Sequence, residues 1–161
     1  MALAATERIM AKLELTLHPD KTKIVNLWEG KEGFDFLGIH HRCKPVVRDG
    51  KRIYHAVYQW PSEKARQNMY GRINEVVGVR ESISCSIKDL IQILNRKIVG
   101  WRNYYALKGS YNVLRKVDDH IIERFTIWWN HKKQRRPRHG QMTIVRQIIK
   151  ANGLKQIACY N

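Results

Sequence analysis

The sequence predicts an α+β protein in two pieces. One helix with antiparallel strands occupies residues 1–60, and an all-helical bundle occupies residues 61–161. Three observations carry this reading. Between Lys21 and Trp60 runs of apolar residues alternate, which is the period of a half-buried strand. From Pro61 onward they recur every three or four residues, which is the period of a helix. Turn-forming residues, Glu29 to Gly33 and Arg48 to Lys51, separate the alternating runs.

Residues 3–16 fit an amphipathic helix, with Leu3, Ile9 or Met10, Leu13 and Leu17 near one face. His18-Pro19-Asp20 breaks it, because Pro19 biases His18 out of the helical region. Lys21 to Leu27 alternates as a strand, and Gly33 to Ile39 (GFDFLGI) is its expected return strand, with the first helix packed on that hairpin. Arg52 to Trp60 is a further strand after the Arg48-Asp49-Gly50-Lys51 turn. A sheet this small buries little area and is expected to be the edge of a larger α/β domain.

The helical half opens at Pro61, suited to a first helical turn, with Glu63 complementing the helix dipole. Ala65, Met69, Ile73, Val76 and Val77 form its apolar stripe, and Gly78 ends it. Ser84 or Ser86 caps the second helix, with Asp89 in a capping-box position relative to Ser86. Its apolar face is Ile87, Leu90, Ile91, Leu94, Ile98, Trp101 and Tyr105, and Gly109 stops it. A third helix runs from about Ser110, with Tyr111, Leu114, Asp118, Ile121, Ile122, Phe125, Trp128 and Trp129 at heptad-like spacing, and a fourth spans roughly Met142 to Ala151. Asp118-Asp119, within the third, is expected to make helix-surface ion pairs.

Charge narrows the function. The net charge is +16, of which +3 falls in residues 1–60 and +13 in residues 61–161. From Asn130 onward there are 8 basic residues and no acidic ones. Such an excess draws polyanions through counterion release, so nucleic acid is the expected partner and the second half its site. No apolar stretch approaches membrane-spanning length. Cys43, Cys85 and Cys159 form no paired motif, which fits free thiols in a reducing compartment. His40-His41 beside Cys43 lacks a second ligand pair, so no metal site is expected.

The stretch Leu94 to Tyr105 (LNRKIVGWRNYY) concentrates the chemistry. Gly100 sits mid-helix, where glycine costs about 1 kcal/mol against alanine, and close approach of another backbone is the expected reason. Aromatic rings interleaved with cations suit RNA, rings stacking on unpaired bases and cations meeting phosphates. By helical spacing Trp101 and Tyr105 belong to the core, while Arg96, Lys97, Arg102 and Asn103 lie outward as phosphate contacts.

This stretch, with its LN…GW.NYY pattern, resembles the maturase-specific, or thumb, domain of group II intron reverse transcriptases. PSEKARQNMYGRINEV is similar to that domain's first helix, and YNVLRKVDDHIIERFTIWWNHKKQRR to its third. Upstream, LTLHPDKTKIV and GFDFLGI resemble the last segments of the same family's polymerase palm, in the same order. The resemblance covers nearly the whole chain, most specifically Leu15 to Ile39 and Pro61 to Arg136. It implies an α+β fold with a palm remnant (1–60) and a thumb/maturase bundle (61–161).

The resemblance also implies residue roles. Lys21 matches a lysine near the incoming nucleotide's phosphates. Phe36, Leu37, Gly38 and Ile39 match the turn that grips the primer end, where Gly38 admits a sugar-phosphate chain. Lys64, Arg66, Asn68 and Arg72 face phosphates from the first thumb helix. Lys132, Lys133, Arg135, Arg136 and Arg138 form a basic end to the third helix that contacts intron RNA. The family's polymerases hold two magnesium ions on aspartates, one from an early palm strand and two from a Tyr-Ala-Asp-Asp turn. Neither is present in this sequence, so a carboxy-terminal piece is expected, with no cofactor of its own and no unaided polymerisation. The expected partners are structured intron RNA and an RNA–DNA template–primer, in a bacterial-type cytoplasm or an organelle. An unpaired palm edge offers a homodimer contact. Two other readings stand beside this one. The chain could complete a reverse transcriptase whose aspartates come from an upstream chain, or it could be a generic basic nucleic-acid-binding protein.

Overall fold

The computed structural model describes residues 2–158 except 20, 21, 29, 79, 135 and 137–139. Helix α1 is Ala2–Lys12. It ends earlier than its periodicity suggests, because Glu14 turns to φ +56° and the amides of Leu13 and Leu15 both bond the Met10 carbonyl. Leu3, Ile9, Leu13 and Leu15 remain exposed, so α1 does not pack on a hairpin as expected. Its few apolar side chains make too narrow a stripe to compete with the bundle for burial.

The expected strand at residues 21–27 is absent from the described residues 22–27. Side chains take the backbone donors a sheet would need. Asn26 N–H donates to Glu32 Oε2 at 2.9 Å, and Trp28 N–H donates to Asn26 Oδ1 at 3.0 Å. The sheet instead comprises β1 (Gly33–Phe36), β2 (Ile39–Arg48) and β3 (Lys51–Pro61), antiparallel and in that order. GFDFLGI therefore holds a whole hairpin turn, not just one strand. Leu37 and Gly38 both take positive φ, +49° and +79°, so Phe36 pairs with Ile39 across a two-residue turn. Asp49 and Gly50 repeat the device between β2 and β3, at φ +51° and +74°.

Strand β2 is hard to see in the sequence, since Pro45 interrupts it. The register shows why proline is tolerated. Pairing with β1 stops at Arg42, and ladder alternation turns the Pro45 nitrogen to that vacated side.

Helix α2 is Glu63–Val77, followed by a short 3-10 turn, Arg80–Ile83. Helix α3 is Ile87–Tyr105, α4 is Tyr111–Lys132 and α5 is Gln141–Ala151. Pro61 ends β3 and so precedes α2, whereas Ser62 is its N-cap and accepts from Ala65 N–H at 3.2 Å. Of the two candidates for α3, Ser86 is the cap. Its hydroxyl accepts from Asp89 N–H at 3.2 Å and donates to Asp89 Oδ2 at 2.7 Å.

The core lies in the helices. Met69 and Ile73 of α2, Leu94 and Ile98 of α3, Val117, Ile121 and Phe125 of α4, and Val145 and Ile149 of α5 form one buried cluster. Each such side chain contributes about 1.5–3 kcal/mol on burial, so the bundle supplies the hydrophobic stabilisation. Ile157, beyond α5 and fully buried, seals this cluster. Asp118 holds the seal: its two carboxylate oxygens accept the backbone N–H groups of Ile157 and Ala158, each at 2.9 Å. Asn95 supports it from α3, donating to the Gly153 carbonyl and accepting from Lys155 N–H, each at 2.9 Å. Asp118 is thus an anchor for the C-terminal turn, not the helix-surface ion pair expected, while Asp119 reaches Arg146 of α5 at 3.4 Å.

Candidate nucleic-acid interface

The β1–β2 turn, the start of α2 and the end of α3 meet at one place. Ser62 N–H donates to the Gly38 carbonyl at 2.8 Å, and the Tyr104 hydroxyl donates to the Leu37 carbonyl at 3.0 Å. A Cβ on Gly38 would lie 2.7 Å from the Tyr105 hydroxyl. Gly38 is therefore required for its positive φ and for Tyr105, and its bare side faces the protein. The glycine thus has a reason within the protein, beside the sugar-phosphate contact that the resemblance implies. Phe36 and Leu37 point outward instead, 60% and 70% exposed, with Ile39 half-buried behind them.

Helical spacing continues this surface along α2 and α3. Lys64, Asn68 and Arg72 are exposed on α2, and Arg96 and Asn103 on α3. Lys97 Nζ pairs with Glu75 of α2 at 3.3 Å, which joins the two helices and partly neutralises that cation. Tyr104, half exposed, carries an aromatic face beside Asn103. Trp101 is buried, and Tyr105 lies against its ring with centroids 4.6 Å apart; burial also pushes the Tyr105 phenol above its ordinary pKa. Among the described residues no other group meets a Cβ built on Gly100 within 4 Å, so none of them supplies the expected close approach of another backbone or helix. Gly71, mid-helix in α2 and equally open, was not singled out from the sequence, although the same signal, a glycine inside a helix, marks it.

Several expected contacts lie elsewhere. Arg66 turns back to Glu63 on the α4-facing side of α2, where the hydrogen bonds from Arg66 and Gln67 lower the Glu63 pKa. Arg102 is half-buried toward Asp118, whose pKa burial raises despite Arg102 and the two backbone donors. Neither reaches the outer strip. At the end of α4, Lys132 Nζ sits 4.9 Å over the Trp128 ring and donates to the Cys85 carbonyl, while Lys133 Nζ lies 5.3 Å over Trp129. Both ammonium groups are thus folded onto the bundle. Arg136 is exposed, and Lys21, Arg135 and Arg138 lie outside the described residues.

Among the described residues, Asp118, Asp119 and Asp35 each have a partner within the protein. Asp118 is committed to backbone donors and Asp119 to Arg146, and Asp35 holds His40 Nδ1 at 2.6 Å. Among the described residues no three metal-capable side chains gather, and no helix is long and apolar enough to cross a membrane.

The comparison with protein families agrees with this geometry. The model of the group II intron, maturase-specific domain matches residues 66–146. That segment runs from within α2, through the LNRKIVGWRNYY stretch of α3 and all of α4, into α5. No curated protein matches the chain. With the matched segment spanning half of its residues and most of its buried core, the chain belongs to the group II intron maturase-specific domain family.

Proposed function

We propose that this chain is an RNA-gripping maturase module, and that the outer strip of α2 and α3 tracks the sugar-phosphate backbone of structured intron RNA or of a template–primer. The carrying observation is the pair of open helix-interior glycines. Gly71 and Gly100 each cost about 1 kcal/mol of helix stability against alanine, and no contact among the described residues offsets it. They lie among Lys64, Asn68 and Arg72 on one helix and Arg96, Lys97 and Asn103 on the next. A helix surface without Cβ atoms lets a backbone settle closely between flanking cations. The β1–β2 turn, bonded to both helices, extends the strip with Phe36 and Leu37. The excess of +13 in residues 61–161 supplies the long-range attraction.

Substituting the two glycines separates this reading from a packing role. Gly71→Ala and Gly100→Ala should each raise stability by about 1 kcal/mol, since nothing obstructs the added methyl, and should weaken binding of structured RNA in a filter assay. Stabilised variants that bind RNA like the parent would refute the strip as the contact surface.

A further inference from the structure

A second feature lies away from this strip. Between the end of α2, the 3-10 turn and the last turns of α4 is an open cleft of about 500 Å³, a size within the ~300–1,000 Å³ of small-ligand sites. Arg80, Arg124 and His131 edge it, and Ile83 and Ile127 are part of its apolar lining. No carboxylate lines it among the described residues. Glu123, next to Arg124, is directed to His120 at 3.9 Å instead.

Arg124 is the unusual member. Its Nε is buried without a hydrogen-bond partner among the described residues, and its Nη2 lies 2.6 Å from where a Cβ on Gly78 would stand, so this glycine leaves room for the guanidinium. A partnerless guanidinium nitrogen beside a second arginine and an imidazole calls for an anion with several acceptor oxygens. The apolar lining calls for more than an anion. Ile127 is 38% exposed although it adjoins the fully packed Phe125 and Trp128. Trp128 itself is fixed, its indole N–H donating to the Ser82 carbonyl at 2.8 Å, so the lining behind Ile127 is rigid.

We infer that this cleft holds a single unpaired RNA nucleotide, its phosphate on Arg80 and Arg124 and its base resting on Ile83 and Ile127. The inference rests on the reading of the chain as an RNA binder but uses a different surface. The strip takes a continuous backbone, and the cleft takes one nucleotide turned out of a helix.

The test is a nitrogen–proton NMR titration of the full chain, following the Trp128 indole N–H and the Ile127 amide. The probes are a single-stranded RNA oligomer, the same sequence as a duplex, uridine monophosphate and inorganic phosphate. The single strand and the mononucleotide should shift both signals, and the duplex should not. Arg80→Ala and Arg124→Gln should each weaken single-strand binding by about tenfold, the worth of one charge-assisted hydrogen bond, with duplex binding unchanged. Arg124, in α4, also packs against Gly78 at the end of α2; if its variant melts early, the Arg80 variant, at an exposed residue, carries the test alone. A full response to inorganic phosphate would reduce the site to an anion hole. Unmoved signals with the single strand, or unchanged affinity in the Arg80 variant, would overturn the nucleotide site. A parent chain that binds the single strand as described but does not bind the duplex would count against the strip and leave the cleft standing.

Discussion

Asp118 gives the sharpest stability prediction. Replacing it with alanine removes the acceptor for two backbone N–H groups, those of Ile157 and Ala158. Each donor left unsatisfied costs about 1–3 kcal/mol, and losing the part-buried charge returns some of that, so the net loss should be about 2–4 kcal/mol. In a chain of this length each kcal/mol moves the melting temperature by about 2–4 °C, so the fall should be roughly 5–15 °C. Asparagine keeps one acceptor oxygen and should lose about half as much. The pH dependence carries its own signature. Burial raises the Asp118 pKa, so the folded state keeps this proton to higher pH than the unfolded chain does. Its contribution is therefore fully present below the ordinary carboxylate range, and is lost as pH rises through the raised folded value. Asp118→Asn should remove that component from the stability profile. Thermal melts by circular dichroism across pH, with hydrogen exchange at Ile157, measure all of this. An alanine variant within about 0.5 kcal/mol of the parent, the range of an ordinary surface change, would refute the anchor.

Three further outcomes are expected. Gly38→Ala places a methyl 2.7 Å from the Tyr105 hydroxyl at φ +79° and should cost about 1–3 kcal/mol, readable by denaturant unfolding; a neutral result would mean the turn is not held against α3. Ser86→Ala should lose about 1 kcal/mol as an N-cap, and equal stability would deny the capping box. Lys64, Arg72 and Arg96 amount to about three phosphate contacts, so RNA affinity should fall roughly fortyfold between 50 and 200 mM salt, and their joint alanine variant should flatten that slope by about 3. A slope unchanged by the triple substitution would place RNA binding elsewhere on the chain.

The helices were the legible part of the sequence because their signals are local. The stripe Ala65, Met69, Ile73, Val76, Val77 needs only its own spacing to declare a buried face, and all five are buried. Ser86 and Asp89 lie within one turn of each other and so declare a cap. The sheet was less legible because a strand exists only when a neighbour completes its ladder. Lys21 to Leu27 has the right alternation, yet residues 22–27 take no strand partner, while β2 forms across Pro45 because its other side is paired. The strip was half legible. The motif around Gly100 marks one helix of the proposed strip, but spacing on one helix says nothing about what stands above a glycine.

By itself the sequence determined the α+β division near Trp60-Pro61, the helical core positions, the polyanion-seeking charge and the maturase resemblance, since periodicity, composition and motif are written in neighbouring residues. Only the tertiary structure decided which side of Gly38 is bare, that Arg66 and Arg102 are half-buried, that the exposed Lys132 and Lys133 lie over indole rings, and that Asp118 anchors the C-terminal turn. Those outcomes depend on partners up to 67 residues away in the chain, as between Tyr104 and Leu37, and such partners meet only once the core has brought their elements together.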